Sequence, residues 1–224
     1  MSTNISTQTL QRLPLYLNFL KEKKKSKAVN ISSSAIAEEL GLVDIQVRKD
    51  LASVSNGGKP KVGYIIENLI IDIKIALGYD NTNDAVLIGA GNLGKALLSY
   101  EGFSEYGLNI VAAFDTNAGV INEIVNGKLI LQVDKLKNLC QRMKIHIGII
   151  TVPAECAQSV CNMLVESGVV AIWNFAPTHL KAPENIMIKS ENMAASLAVL
   201  SKHLTEKIFS DQEDNTDGNN DETR

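Results

Sequence analysis

A short apolar run followed by three spaced glycines is the feature that most constrains the fold of this chain. The run ends at Ile88, and the glycines are Gly89, Gly91 and Gly94. A buried strand, a tight turn and a helix in this order form the first half of a dinucleotide-binding βαβ unit. The first glycine makes the turn, the second lets backbone N–H groups approach a pyrophosphate, and the third allows close packing of helix on strand. The motif predicts a Rossmann-like α/β domain with a parallel sheet.

The turn between strand and helix is predicted to bind the phosphates of a nucleotide, through Gly89, Ala90, Gly91, Asn92, Leu93 and Gly94. A second apolar segment, LNIVAAFD, ends at Asp115, 21 residues after Gly94. An acid at this kind of spacing accepts hydrogen bonds from the adenosine ribose hydroxyls, and it repels the 2′-phosphate of NADP(H). The predicted cofactor is therefore NAD(H).

The same glycines satisfy most of a competing motif, the P-loop of ATPases. Lys95 follows Gly94, as a P-loop requires, but the next residue is Ala96. A P-loop has Ser or Thr there to hold Mg²⁺, and alanine has no oxygen. The sequence therefore favours the dinucleotide site, with an empty Rossmann-like domain as a further alternative.

Two more apolar segments, IHIGII and GVVAIWN, flank a helical pattern from Cys156 to Ser167 and predict another β-α-β unit. Open parallel sheets bind their ligands at the carboxyl ends of the strands. The residues at these ends are predicted to line the nucleotide site, and they are Val152, Pro153, Asn174, Phe175, Ala176 and Pro177.

The sequence offers no catalytic group for this site. None of His146, His179 and His203 has an Asp, Cys or Ser placed as a partner, which acid–base or nucleophilic catalysis would require. We therefore expect cofactor binding without turnover. An NAD-dependent oxidoreductase with a helical N-terminal extension is the alternative, and a DNA-binding protein whose Rossmann domain is only a dimer scaffold is a third interpretation.

The N-terminal third has the pattern of a winged helix. Leucines at helical spacing predict a first helix, and the serine-capped segment SSSAIAEELGL predicts a second. Asp44 is predicted to cap a third helix, in which Ile45, Val47 and Leu51 face inward. Two short helices joined by a tight turn form a helix-turn-helix, whose second helix enters the major groove of DNA.

Polar and basic side chains on these elements are the predicted DNA contacts. The hairpin pattern NGGKPKVGY that follows the third helix resembles the wing of a winged helix. Together the helices and the wing can supply contacts both to base edges and to phosphates. The predicted DNA-binding residues are Ser33, Gln46, Arg48, Lys49, Lys59 and Lys61.

Charge is distributed unevenly along the chain. Residues 1–80 contain 11 Lys and Arg against 8 Asp and Glu, whereas the whole chain has a net charge of -3. We predict a winged-helix DNA-binding domain over 1–80, a Rossmann-like NAD(H)-binding domain over 81–190 and a dimerisation helix over 191–209. The acidic segment 210–224 has no large apolar residue and is predicted to be disordered.

The last predicted helix carries a narrow apolar stripe at steps of three and four residues, which favours packing on a second subunit. Its members are Met193, Leu197, Leu200, Leu204 and Ile208. A homodimer also suits a helix-turn-helix protein, because such proteins usually read two-fold sites in double-stranded operator DNA.

Several classes of protein are not supported. No apolar run is long enough for a membrane span, and the N-terminus lacks a signal core, so we expect a cytoplasmic protein. The three cysteines, Cys140, Cys156 and Cys161, are odd in number and lack the spacing of a zinc site. We expect them to be buried or semi-buried thiols, and we expect no metal.

Taken in order, the motifs resemble the Rex family of redox-sensing transcriptional repressors over nearly the whole chain. The motifs are Ser32-Ser33, Gln46 to Leu51, Val62-Gly63-Tyr64, Gly89 to Gly94, Tyr100-x-Gly102-Phe103, Phe114-Asp115, Thr151 to Ala154 and Asn174 to Pro177. The resemblance implies a homodimer with N-terminal winged helices, a Rossmann core and a C-terminal helix exchanged between subunits. It also implies that Tyr100 and Phe103 belong to the cofactor site, that NAD⁺ permits operator binding and that NADH releases the DNA.

Departures from the family pattern affect the redox response. The family has an Asn-x-Asp pattern at the start of the last helix, whose acid comes near the partner's nicotinamide and the tyrosine that matches Tyr100. This chain has Asn192-Met193-Ala194, and Asn18 stands where the first helix often has an arginine. The resemblance therefore implies nucleotide and DNA binding with a weakened redox switch.

Overall fold

A computed structural model describes residues 5–80 and 82–217, with side chains as far as residue 208. The chain divides into two compact units. The first unit is Met1–Asn83 together with Glu101–Asn109, and the second is Asp84–Tyr100 together with Ile110–Arg224. The chain therefore leaves the second unit after Tyr100 and returns to it at Ile110, whereas the prediction placed a single boundary at residue 80.

The first unit is a helix-turn-helix with a small hairpin. Strands β1 and β2 pair antiparallel although α2 and α3 separate them in the chain. The hairpin is the predicted wing, and it is a turn closed by an isolated bridge between Lys59 and Gly63, just before β2. The elements are α1 (Thr7–Lys25), β1 (Asn30–Ile31), α2 (Ser33–Leu40), α3 (Asp44–Val54), β2 (Tyr64–Ile65), α4 (Ile66–Ala76) and a 3₁₀ helix (Glu101–Tyr106).

Helix α4 was not predicted, although its signal is present in the sequence. Ile66, Leu69 and Ile73 recur at helical spacing and are buried in the core of the first unit. Helix α4 follows β2 without a loop, and the β-branched run at its start favours a strand. Tertiary packing of this apolar face outweighs that local preference.

The ends of α2 form as the sequence predicts. The Ser32 Oγ accepts a hydrogen bond from the Ala35 amide at 3.1 Å, and Gly41 ends the helix with a left-handed φ of 63°. Ser32 therefore satisfies one of the free amides of the first turn.

Two predictions for α3 are wrong. The residue at the N-cap is Val43, and Asp44 is already helical, because its carboxylate accepts hydrogen bonds from Ser33 and Arg48 instead of capping the backbone. Ile45 does not face inward but is 63% exposed. Successive helical residues are rotated by about 100°, so the rotation that buries Val47 turns Ile45 outward.

A buried carboxylate joins α3 to α1. Asp50 is 3% exposed, and it accepts hydrogen bonds from Arg12 Nε (2.7 Å), Arg12 Nη2 (2.9 Å), Tyr16 Oη (2.8 Å) and Thr9 Oγ1 (3.0 Å). Burial alone raises the pKa of Asp50, but the hydrogen bonds from Arg12, Tyr16 and Thr9 outweigh it, and the pKa is lowered. Burial is the largest cause that raises the pKa of Tyr16 to about 12, and the hydrogen bond to Asp50 is the second.

The second unit is a seven-stranded sheet in the order β5-β6-β4-β3-β7-β8-β9. Strands β3, β7, β8 and β9 run parallel to one another, β6 is parallel to β4, and the edge strand β5 is antiparallel to β6. The strands are β3 (Asn83–Ile88), β4 (Leu108–Asp115), β5 (Ile124–Val125), β6 (Lys128–Gln132), β7 (Ile147–Ile150), β8 (Ala171–Asn174) and β9 (Met187–Ser190).

Three helices connect these strands, and a fourth ends the described chain. They are α5 (Asn92–Ser99), α6 (Leu136–Met143), α7 (Ala154–Glu166) and α8 (Met193–Asp217), with a 3₁₀ turn at Val133–Lys135. The apolar strands β3, β4 and β7 pack with α7 in one hydrophobic core. The predicted α/β class with a parallel sheet is therefore confirmed.

Helix α8 extends beyond its predicted end at residue 209, because each added residue of an existing helix gains a backbone hydrogen bond for little extra ordering. The segment 210–217, predicted to be disordered, is therefore helical in its backbone, and 218–224 lie outside the described residues. Within 5–80 and 82–217, no helix is long and apolar enough to cross a membrane.

The Asp50 network yields a prediction about stability. Removing one partner of a buried ion pair costs about 3–5 kcal/mol, so we expect Asp50→Ala to lower the free energy of unfolding by that amount. The pKa of Asp50 is lowered in the folded state. Its contribution should therefore be present above the ordinary aspartate pKa of about 4 and be lost as the pH falls through the lowered value. Urea unfolding followed by circular dichroism between neutral and acidic pH measures both effects.

Glu39→Ala is the matched control, since the ion pair of Glu39 with Lys23 is exposed and worth at most about 1 kcal/mol. Equal losses of stability in the two variants would show that the Asp50 network does not hold α1 and α3 together.

Candidate functional site

The predicted phosphate loop joins the end of β3 to the start of α5. Gly89 has a φ of 102°, and a Cβ there would lie 2.8 Å from the Thr151 carbonyl oxygen. A Cβ on Gly94 would lie 2.0 Å from the Gly89 carbonyl oxygen, so only glycine lets α5 pack this closely. The Thr151 Oγ1 donates to the carbonyl oxygen of Gly89 at 2.7 Å and ties the loop to the end of β7.

Above the loop, the N-terminus of α5 is open. Gly91 precedes the helix, no side chain caps it, and a Cβ at Gly91 would meet nothing within 4 Å. The free amides of a first helical turn carry partial positive charge and attract anions. The loop therefore has both the space and the polarity for a phosphate group.

Asp115 lies at the carboxyl end of β4, beside this loop. Its Oδ2 accepts a hydrogen bond from the Ala90 amide at 2.7 Å, and its Oδ1 accepts one from the Asn117 amide at 2.8 Å. A carboxylate has about four acceptor positions, so each oxygen keeps capacity for one more donor. The two amides hold the carboxylate in place and leave it able to accept hydrogen bonds from a ligand.

A pocket of about 340 Å³ opens between the loop and the first turns of α7. It brings together five of the predicted site residues, Gly89, Gly91, Asp115, Val152 and Pro153. The residues of its wall that the sequence analysis missed are Ile88, Thr116, Val133, Thr151, Cys156, Ser159, Val160 and Met163. Four of these are Cys156 and the residues three, four and seven positions after it, which lie on one face of α7. This helical spacing was the signal that could have identified them.

The remaining predicted cofactor residues do not line this pocket. Ala90, Asn92, Leu93 and Gly94 belong to the loop and the start of α5. Tyr100 directly follows α5 in the second unit with half of its surface exposed, whereas Phe103 belongs to the 3₁₀ helix of the first unit.

Asn174 is fully buried and organises the loop after β8. Its Nδ2 donates to the carbonyl oxygens of Ala176 (3.2 Å) and Thr178 (3.1 Å), and its Oδ1 accepts from the Ala176 amide at 3.0 Å. The amide group is therefore engaged within the protein and sets the course of the segment that contains Phe175 and Pro177.

Trp173 and Phe175 pack their rings together at the same edge, with centroids 4.7 Å apart. The Trp173 Nε1 donates to Glu191 Oε1 at 2.9 Å, just before α8 begins. Trp173 is the single tryptophan of the chain and reports on this part of the second unit.

The cysteines form no ligand cluster. Cys140 and Cys161 are buried as expected, but the expectation is wrong for Cys156, which is exposed near the start of α7. Burial raises the pKa of the Cys140 thiol to about 11. In the described part of the chain, no group of three or more His, Cys, Asp or Glu side chains could hold a metal ion.

A second candidate site lies on the first unit, between the start of α2, α3 and the hairpin. This cleft of about 490 Å³ contains four predicted DNA contacts, Ser33, Arg48, Lys59 and Lys61. Arg48 is exposed and pairs with Asp44 at 2.7 Å within the same helix. Gln46 and Lys49 are exposed on α3 but do not line the cleft.

Comparison with known protein families matches both units. The family described as putative DNA-binding protein N-terminus matches residues 4–52. The CoA binding domain family matches residues 80–178.

Individual relatives match over most of their length. A redox-sensing transcriptional repressor Rex from Bacteroides fragilis is 38% identical over 203 residues, which cover 91% of this chain and 92% of the relative. A repressor of the same description from Treponema denticola is 40% identical over 192 residues, covering 86% of this chain and 91% of the relative.

Solved structures agree with these relatives. The crystal structure of RSP in complex with β-NAD⁺ and operator DNA matches with a TM-score of 0.85 and 32% identity, over 94% of this chain and 97% of that chain. RSP in complex with β-NADH matches with a TM-score of 0.83 and 32% identity, over 93% and 98%.

The geometry of the loop predicts that two glycines differ sharply in their tolerance of a methyl group. Gly94→Ala places a Cβ against backbone, and overpacking of this kind costs about 1–3 kcal/mol. Gly91→Ala enters open space at an ordinary φ of -71° and should leave the stability of the second unit unchanged. Thermal unfolding followed by Trp173 fluorescence compares the variants, and equal midpoints for both would contradict the close packing of α5.

Proposed function

The chain belongs to the Rex family of redox-sensing transcriptional repressors, and from this premise we propose that its second unit binds NAD(H) and thereby controls operator binding by its first unit. The chain is a repressor that responds to the NADH/NAD⁺ ratio. The observation that carries the assignment of the site is the pocket formed by the glycine loop, Asp115 and α7.

The residues present fit NAD(H). The open N-terminus of α5 suits the pyrophosphate, with Gly91 leaving room for its oxygens. Asp115 would accept hydrogen bonds from the adenosine ribose, and Val133 and Met163 offer an apolar wall to the adenine. When bound, the cofactor supplies a nicotinamide ring that is cationic when oxidised and neutral when reduced.

For the nicotinamide half we propose Tyr100 and the segment from Asn174 to Pro177 of the second unit, and for Phe103 the family pattern alone supports a role toward the cofactor. The support is their place in the family pattern and, for the segment after β8, its position at the carboxyl edge of the sheet. Asn174 acts there as a positioning residue, because its side chain is buried and hydrogen-bonded within the loop.

The first unit binds double-stranded operator DNA. We propose that Gln46, Arg48 and Lys49 of α3 contact base edges and phosphates, with Ser33 at the start of α2 and the wing lysines Lys59 and Lys61 as phosphate contacts. Two observations support the assignment: Ser33, Arg48, Lys59 and Lys61 line one cleft, and Gln46 and Lys49 are exposed on α3. A repressor acts where the chromosome lies, so we place the protein in the cytoplasm.

Two copies form the functional repressor. We propose that α8 is exchanged between them and packs through its apolar stripe, Met193, Leu197, Leu200, Leu204 and Ile208. These side chains are between 48% and 64% exposed in the single chain, so the described part of the chain does not bury them. A dimer brings two winged helices to a two-fold operator.

We propose that the chain regulates without catalysing a reaction. The relatives are named as repressors. Asp115 and Cys156 are the titratable side chains among the described residues of the pocket wall, and both oxygens of Asp115 are held by backbone amides. A redox enzyme of this fold would need a positioned acid or base. Steady oxidation of NADH by the purified protein would favour the oxidoreductase alternative.

The cofactor assignment predicts a preference for NAD(H) over NADP(H). Asp115 would face the 2′-phosphate at close range, so we expect NADH to bind at least about tenfold more tightly than NADPH, which is about 1.4 kcal/mol. Asp115→Ser should narrow the difference. Calorimetry with all four nucleotides measures it, with Glu123→Ser as the control because Glu123 is exposed and pairs with Lys95. Comparable affinities of wild-type protein for NADH and NADPH would refute the role of Asp115.

The proposed function and its redox response are tested together by anisotropy titrations of palindromic operator-like DNA in saturating NAD⁺ and in saturating NADH. Specific binding in NAD⁺ is expected. Ala194 has no charge and no acceptor where the family has an acid, so the loss of affinity in NADH should be less than about tenfold. Ala194→Asp should enlarge it, and Ala195→Asp, one position along α8, should not.

A wild-type protein that already loses about tenfold or more in NADH, with no further loss in Ala194→Asp, would show that the missing acid does not limit the response. The absence of specific DNA binding under every condition would count against the repressor function itself.

A further inference from the structure

The outward side of α3 is apolar at its centre. With about 100° between successive residues, the buried side of the helix is defined by Val47, Asp50 and Leu51. Ile45 and Ala52 lie directly opposite that side, two helical turns apart, and both are exposed. The rotation of α3 that the Asp50 network fixes therefore turns these two residues outward.

Basic side chains flank this apolar centre. Arg48 and Lys49 follow Ile45 by three and four residues and lie on either side of the line between Ile45 and Ala52. Val43, just before the helix, is 68% exposed, and Ile45 is 63% exposed. Scattered apolar residues on a surface are ordinary. Helix α3 is proposed to enter a DNA groove. There an isoleucine between two cations would contact the same DNA surface as those cations.

We propose that Ile45 is a specificity-determining residue that packs against the C5 methyl group of a thymine in the major groove of the operator. This inference rests on the proposed function and deepens it by naming a base. The first residues of a recognition helix reach base edges. The thymine methyl is the apolar group that the major-groove edge of a base pair presents, and the other base positions there are hydrogen-bond donors or acceptors.

The expected effect is modest and specific. Burial of one methyl group is worth about fourfold in a binding constant. Loss of the contact should leave the salt dependence unchanged, because no phosphate is involved. Lys49→Ala, in contrast, should reduce the slope of log affinity against log salt by about one if Lys49 neutralises a phosphate.

The experiment uses the full-length protein and a duplex that it selects from a pool of random DNA sequences. Each thymine of that duplex is replaced in turn by uracil, which removes only the methyl group. We expect one symmetry-related pair of positions at which uracil weakens wild-type binding about fourfold per contact. Ile45→Ala should weaken binding to the thymine duplex by a similar factor. For this variant, replacing the contacted thymine by uracil should weaken binding no further.

Two variants control for other causes. Ile45→Val keeps a branched apolar side chain and should retain most of the sensitivity to uracil. Ile124→Ala removes an isoleucine that is 70% exposed on β5 of the second unit and should behave as the wild type. Since Ile45 is exposed on a helix and alanine favours helices, Ile45→Ala should fold normally.

The possible failures are distinct. A chain that selects no duplex overturns the repressor function, and the inference fails with it. A selected duplex in which every thymine tolerates uracil at full affinity overturns the inference alone. Additive effects of Ile45→Ala and of uracil also overturn it, because a shared contact requires the two losses to overlap.

Discussion

The proposed DNA-reading surface depends on one buried carboxylate. Asp50 accepts four hydrogen bonds from three side chains of α1 and thereby fixes how far α3 is rotated about its own axis. The bidentate pair with Arg12 is directional, so it adds a fixed orientation to the apolar contacts that pack α3. With this rotation set, Ile45, Arg48 and Lys49 face outward together. The ionic network therefore helps to decide which face of α3 is outward and is proposed to contact DNA.

The second unit depends on an equally local constraint, the approach of α5 to the loop before it. Glycine at position 94 allows a helix to start so close to β3 that its free amides face the space above Gly91. Asp115, at the end of the neighbouring strand β4, accepts a hydrogen bond from the Ala90 amide at 2.7 Å and so holds the loop in place. The same carboxylate that is proposed to bind the ribose therefore also stabilises the loop that would bind the phosphates.

Sequence patterns predicted the features that arise from chain-local chemistry. The glycine spacing, the acid at the end of β4 and the cap at Ser32 each require particular residues at fixed separations, and the structure contains all three. Features decided by packing between distant residues were missed. Periodicity alone could not tell which way Ile45 turns, because the decisive contacts of Asp50 come from α1. Likewise, the assignment of residues 101–109 to the first unit depends on contacts with α1 and with Tyr79.

Those contacts tie residues 101–109 to the first unit, although in sequence the segment lies between two elements of the proposed nucleotide site. The Lys21 Nζ donates to Glu105, Tyr79 packs on Tyr106, and the Asn83 amide donates to the Gly107 carbonyl oxygen at 2.8 Å. The segment follows α5, which the phosphate loop begins, and precedes β4, which Asp115 ends. Coupling is reciprocal, so operator DNA must favour NAD⁺ over NADH by the factor with which NADH weakens DNA binding. Both elements of the proposed nucleotide site are thus covalently joined to a segment that belongs to the first unit.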